Sequence, residues 1–212
     1  EIAVPAAVVS RSAPEGFDMP KNKNWPPNHP GLGSNWIWLD GSDGSTPDGQ
    51  MQGGEYRTLT HSVDDVIRVD GSGALWIDCA AQKKLYRYPV TAWTGDVPQW
   101  NVTAPLAYAY PAGVTTRLKR HLYDAANDRM YLAPSGTGES DKGIGTLLRY
   151  DTFTTNPTLT WTWTKPTDRT RKPISIDLAG DYLFVGYDQN ARGLIDIRSE
   201  ERRVGKECRS RW

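Results

Sequence analysis

The chain has 212 residues and is formally neutral, with 25 lysines and arginines against 25 aspartates and glutamates. Six of the basic residues lie in the last fifteen positions, and without that segment 19 basic residues face 22 acidic ones, a net charge of −3. A weakly acidic chain has no electrostatic reason to bind DNA or RNA. We therefore expect no nucleic-acid partner. No run approaches the roughly 18–20 apolar residues of a membrane helix, so we also expect no membrane insertion.

Residues 1–30 are predicted to be a Pro-rich leader or linker. They contain six prolines and little apolar periodicity. Proline at this density disfavours both helix interiors and central strands.

Strand signals dominate the rest of the chain. Short alternating runs rich in β-branched and aromatic residues lie between clusters of Gly, Asp, Asn and Pro, which is typical of strands. An uninterrupted helical spacing of apolar residues is not found. We predict strands at 35–40, 56–61, 65–70, 74–79, 84–90, 117–125, 129–134, 146–152, 159–164, 173–179, 181–187 and 193–197. The sequence therefore predicts an all-β fold.

The strands recur in the same order with a period near 54 residues. Leu75, Met130 and Leu183 occupy the same place in three successive units and are separated by 55 and 53 residues. The first two units also share a Tyr-to-Trp spacing, Tyr88 to Trp100 and Tyr150 to Trp161. A repeat of this length with about four strands per unit is typical of a β-propeller blade. We predict an incomplete propeller over 31–197, with about three blades of four-stranded antiparallel sheet, and assign 31–61 to the edge of an earlier blade.

The segment "VDGSGALWIDCAAQKKLYRY" (69–88) resembles the blade core of NHL-type and sugar-lactonase-type propellers. In these families an Asp and a Gly-containing turn precede a small-aromatic-Val/Ile-Asp strand. The residues that match this pattern are Asp70, Gly73, Leu75, Trp76, Ile77 and Asp78. The segment "SIDLAGDYLFVGYDQNARGLIDI" (175–197) similarly resembles secreted bacterial repeat propellers. The resemblance implies a bacterial propeller repeat; it identifies a fold and not an activity.

The loop "DGSDGSTPDGQ" (40–50) offers Asp40, Asp43 and Asp48 as oxygen ligands for calcium. Their spacing does not fit an EF-hand loop, and Asp, Gly, Ser and Pro are also ordinary turn residues. We therefore predict a turn-rich loop and no cofactor, with calcium as the alternative.

Other candidate residues are scattered. His29, His61 and His121 lack zinc-ligand spacing, and His121 is predicted to be structural or exposed. Glu139 and Asp141, in a Gly-rich connection, are predicted to lie in an exposed blade loop, with a ligand-binding or acid role in a central channel as the alternative.

The cysteines and tryptophans favour packing roles. Cys79 follows an apolar run and is predicted to be a small buried residue. Eight tryptophans precede residue 198, and we assign most of them to packing between blades; exposed indoles could stack on sugars.

The last segment, 198–212, resembles a translated sequencing adapter, because one codon choice per residue reproduces such an adapter at all fifteen positions. Its lysines, arginines and Cys208 are therefore excluded from the fold prediction. Since the chain also lacks an initiator methionine, we expect an internal piece of a longer protein, as metagenomic short reads produce.

These observations predict a binding or scaffold module that recognises a carbohydrate or a protein, exported to the extracellular space or periplasm. The alternative is a metal-dependent hydrolase of the sugar-lactonase type, which rests on the blade resemblance alone. No catalytic residue can be assigned from the sequence.

Overall fold

The structure, a computed structural model, describes residues 6–10, 28–30, 34–64, 66–135, 146–164, 173–187 and 194–199. In these residues it is all-β: sixteen strands pair antiparallel, and the one helical element is a short 3-10 turn at Gly53–Glu55. The all-β prediction is therefore confirmed. The chain divides into two compact units, Glu1–Ala109 and Tyr110–Trp212.

The described part of the first unit contains three antiparallel sheets. A three-stranded sheet comprises β1 (Ala7–Ser10), β2 (Trp36–Leu39) and β3 (Tyr56–Thr58). A four-stranded sheet comprises β4 (Ile67–Val69), β5 (Leu75–Cys79), β6 (Lys84–Tyr88) and β9 (Leu106–Ala109). Between β6 and β9, β7 (Val90–Thr94) and β8 (Val97–Trp100) form a separate hairpin. β1 lies inside residues 1–30, where no strand was predicted, and it pairs along its whole length with β2.

The second unit contains two sheets in its described part. β10 (Leu118–Asp124), β11 (Arg129–Pro134), β12 (Thr146–Asp151) and β13 (Thr158–Thr164) form a four-stranded sheet in chain order, and β14 (Pro173–Ala179), β15 (Tyr182–Tyr187) and β16 (Leu194–Ser199) form a three-stranded one. β16 ends two residues beyond Ile197, the predicted limit of the domain. Residues 200–212 lie outside the described residues.

Within each unit, neighbouring sheets bury apolar faces against each other. In the first unit Ile37 of β2 belongs to one buried cluster with Leu75 and Ile77 of β5. In the second, Tyr131 of β11 shares a cluster with Val185 of β15. Each such side chain contributes about 1.5–3 kcal/mol by leaving water, so sheet stacking is the main source of stability in either unit.

The positions predicted to be equivalent in the repeat are equivalent in strand register. Leu75 and Met130 both lie on the second strand of a four-stranded sheet and are at most 1% exposed. Leu75 is opposite Tyr88 and Met130 is opposite Tyr150 on the third strand. Leu183, also buried, occupies the central strand of the β14–β16 sheet.

The predicted equivalence of Trp100 and Trp161 is wrong. Trp161 lies on β13 and pairs with Arg149 of the third strand. Trp100 lies on β8 and pairs with Val90 of the inserted hairpin. The fourth strand of the first four-stranded sheet is instead β9, so the similar Tyr-to-Trp spacing is a coincidence of two different connections.

Candidate functional site

The acidic loop after β2 directs its carboxylates onto its own backbone. Asp40 is buried and accepts hydrogen bonds from the amides of Asp48 at 3.1 Å and Gly49 at 2.8 Å. Asp43 accepts the amide of Ser45 at 2.9 Å, and hydrogen bonds from the side chain and amide of Ser45 lower the pKa of Asp43. These carboxylates shape the loop, as the turn interpretation predicts. In the described part of the chain, no three metal-ligating side chains come together.

Glu55 anchors this loop to the three-stranded sheet. The side chain is fully buried. Its Oε2 accepts the indole N–H of Trp38 at 2.8 Å and the amide of Gln52 at 3.1 Å, while Oε1 accepts the amide of Gly41 at 2.6 Å. A charged group is tolerated in the interior only when it is hydrogen-bonded in this way. No sequence motif marks Glu55; its role becomes visible only once β2 and β3 are paired.

A groove of about 240 Å³ lies between the three-stranded sheet and the β7–β8 hairpin. The sheet side contributes Leu39, Ser42 and Arg57, and the other side contributes Thr91, Gln99, Trp100 and Asn101 with the two residues that follow. Two hydrogen bonds hold the hairpin in place. Gln99 Nε2 donates to the carbonyl of Asp40 at 3.0 Å, and Trp100 Nε1 donates to the carbonyl of Gly73 at 2.9 Å.

The groove contains polar atoms that have no hydrogen-bond partner among the described residues. Asn101 Oδ1 accepts hydrogen bonds from Thr103 and Ala104, but Asn101 Nδ2 has no partner among the described residues. The same holds for Gln99 Oε1, since the one hydrogen bond of this side chain uses Nε2. A donor and an acceptor are therefore available on the hairpin side, beside the half-buried indole of Trp100.

Most of the described tryptophans are at least half-buried. In the described residues the buried tryptophans are Trp36, Trp38 and Trp76. The half-buried ones are Trp100, Trp161 and Trp163, and Trp93 is exposed. Trp93 is 61% exposed and lies on β7 of the inserted hairpin.

The motif that carries the propeller resemblance has a structural role. Asp70 Oδ1 accepts the amides of Ser72 at 2.8 Å and Ala74 at 3.1 Å, and Oδ2 accepts the indole N–H of Trp76 at 2.8 Å. Gly73 has φ +82°, a conformation that glycine adopts without strain. The Asp-Gly pattern therefore closes the β4–β5 turn and ties it to the buried indole.

His61 and Cys79 lie in a buried polar cluster. His61 Nδ1 is 2.7 Å from the carbonyl of Ser62, so it carries the hydrogen, and Nε2 accepts the hydroxyl of Tyr88. The imidazole stacks on Tyr86 with ring centroids 3.8 Å apart. Burial lowers the pKa of His61 and raises that of Tyr88. Cys79 is buried, as predicted, with Sγ 3.2 Å from Ser62 Oγ.

The remaining candidates do not join this cluster or the groove. His121 is buried on β10, which agrees with its predicted structural role. His29 stacks on Trp36 with ring centroids 6.4 Å apart. Glu139 and Asp141 lie outside the described residues.

Comparison with known proteins found no matching protein-family model and no matching curated protein. In the part of the chain that the structure describes, no helix has the length and apolar character needed to cross a membrane.

Proposed function

We propose that the chain is part of a β-propeller whose sheets are blades, and that it acts as a carbohydrate-binding module through the groove beside the β7–β8 hairpin. The propeller is supported by the meander order of β10–β13, by the equivalent registers of Leu75 and Met130, and by the face-to-face burial of neighbouring sheets. Stacked four-stranded sheets of this kind bury apolar faces that one sheet alone would leave in water.

The observation that carries the binding role is the departure of the first unit from the repeat. In the second unit β12 leads directly into β13 through residues 152–157, whereas β6 and β9 are separated by the inserted β7–β8 hairpin. Insertions in repeat proteins concentrate on the binding face. This insertion builds one wall of the groove, and its side chains there are not needed for pairing within the four-stranded sheet.

The chemistry of the groove favours a saccharide. Sugar hydroxyls both donate and accept hydrogen bonds, so they can pair with Gln99 Oε1 and Asn101 Nδ2 at once. The indole of Trp100 supplies an apolar surface for the C–H face of a sugar ring. At about 240 Å³ the groove is smaller than the roughly 300–1,000 Å³ of sites for drug-sized ligands, so it suits one sugar residue of a longer chain. A saccharide ligand also agrees with the predicted export of the protein.

Calorimetric titration of the 212-residue chain with a panel of oligosaccharides tests the proposal. Asn101→Ala and Gln99→Ala should each weaken binding about 2- to 12-fold, the equivalent of one neutral hydrogen bond. Asn156→Ala removes an exposed amide from the β12–β13 connection and should leave affinity unchanged. Absence of binding across the panel, or wild-type affinity in both groove variants, would refute a carbohydrate site here.

A further inference from the structure

The groove contains a guanidinium that the protein holds firmly without neutralising it. Arg57 Nη1 donates to the carbonyls of Gly54 and Tyr56, and Nη2 donates to the carbonyl of Ser42 at 2.9 Å. A guanidinium has five N–H groups, so at least two, including that on Nε, have no acceptor among the described residues. Carbonyls fix the orientation of the group and leave its charge intact.

Among the described residues, no acidic side chain lines the groove, and no carboxylate lies within ion-pair distance of Arg57. The hydrogen bonds from Ser45 are the main cause that lowers the pKa of the exposed Asp43, and the charge of Arg57 lowers it slightly further. Glu55 is the other nearby carboxylate, and its oxygens are already hydrogen-bonded to Trp38 and backbone amides. The groove itself is therefore positively charged and rich in neutral hydrogen-bonding groups.

We propose that the saccharide is acidic, and that the carboxylate of a uronic acid residue pairs with Arg57 while its hydroxyls bind Gln99 and Asn101. The inference rests on the proposed carbohydrate site and names the ligand class. A planar carboxylate matches the fork of a guanidinium better than a sugar hydroxyl does. Since Arg57 is already oriented by three carbonyls, little side-chain entropy is lost when the ligand binds.

A pair of ligands tests the charge on the unaltered protein. A galacturonic acid trisaccharide and its methyl ester differ in the carboxylate charge and keep the same ring hydroxyls. We expect the acid to bind about tenfold or more tightly than the ester, as a hydrogen bond to a charged group requires. The preference should shrink as salt rises from about 20 mM to about 500 mM, because the groove is open to screening ions.

Variants then assign the preference to one residue. Arg57→Gln should bind acid and ester equally, whereas Lys83→Gln, which removes an exposed cation from the β5–β6 turn, should keep the preference. Asp43→Asn should strengthen binding of the acid and not of the ester. Thermal melts identify a variant that fails to fold, and the comparison of acid and ester on the unaltered chain stands without it.

The outcomes separate the two proposals. Equal binding of acid and ester by the unaltered chain would overturn the acidic class and leave the carbohydrate site standing. Failure of both to bind, together with failure of the neutral panel, would remove both proposals. An unchanged preference in folded Arg57→Gln would show that another group recognises the charge.

Discussion

Glu55→Gln is the most direct test of how the groove is supported. The substitution keeps the size of the side chain and replaces one carboxylate oxygen by an NH₂ group. Oε2 accepts hydrogen bonds from Trp38 and Gln52, and Oε1 accepts one from the amide of Gly41 and a longer one, at 3.5 Å, from the hydroxyl of Ser45. The less costly orientation puts the NH₂ group at Oε1, where it faces the N–H of Gly41, so that one hydrogen bond is replaced by two opposed donors.

The size of the effect follows from these contacts. A hydrogen bond to a charged acceptor is worth about 1.5–3 kcal/mol, and the two surviving bonds weaken when the acceptor becomes neutral. Removing a buried charge returns part of its desolvation cost. We expect the free energy of unfolding to fall by about 2–4 kcal/mol, a large part of the roughly 5–15 kcal/mol typical of a folded domain.

Urea unfolding followed by far-UV circular dichroism and tryptophan fluorescence measures this loss. With a slope near 2 kcal/mol per molar urea, the midpoint should fall by about 1–2 M. Asp96→Asn, in the exposed turn of the β7–β8 hairpin, is the matched control and should change stability by less than about 0.5 kcal/mol. A loss below about 0.5 kcal/mol in Glu55→Gln would mean that the buried carboxylate is not what holds the loop.

Two further predictions concern protons and calcium. Burial holds the pKa of His61 below its usual 6.5, so as pH falls the unfolded chain takes up a proton before the folded chain does. The free energy of unfolding should therefore decline as pH falls below about 6.5. Urea unfolding over a pH series should show this decline in the unaltered protein and not in His61→Phe, and an equal dependence of the unfolding free energy on pH in both proteins would contradict the assignment. Because Asp40 is bonded to two backbone amides, about 5 mM calcium should leave the melting temperature unchanged; a rise would favour the metal-dependent hydrolase.

Local pattern was enough to find most of the strands. β11 (Arg129–Pro134) and β14 (Pro173–Ala179) have the predicted bounds, because alternating apolar residues between turn formers specify both the strand and its buried face. β1 was missed because composition over 1–30 outweighed the four-residue run Ala7–Ser10, which gains its stability from pairing with β2. A four-residue strand has little sequence signal of its own, and whether such a segment becomes a strand depends on the strand that pairs with it.

The groove could be predicted only in part. Gly95 and Asp96 form the two-residue turn between the paired residues Thr94 and Val97, and Gly95 has φ +58°. A Gly-Asp pair between two strands is a hairpin signal, and the sequence does contain it. The Tyr-to-Trp spacing concealed it by suggesting that Trp100 belongs to a fourth strand. Arg57, by contrast, becomes a groove residue only through the contact of its guanidinium with carbonyls on two sides of the loop, which no local pattern encodes.

Binding chemistry in this chain can reside where side chains are not required by the fold. Leu75, Met130 and Asp70 are committed to the fold, since each fills a core position or closes a turn, and changing them would cost stability before it changed recognition. Gln99 and Asn101 lie in or directly after an insertion, and each has a polar atom without a partner among the described residues, beyond the one structural hydrogen bond of Gln99 and the two of Asn101. Substitutions at these two positions can therefore alter the ligand without removing a core side chain, although replacing Gln99 also removes its hydrogen bond to the carbonyl of Asp40. On this reasoning a related chain that lacks the β7–β8 hairpin would keep the core and lose the groove.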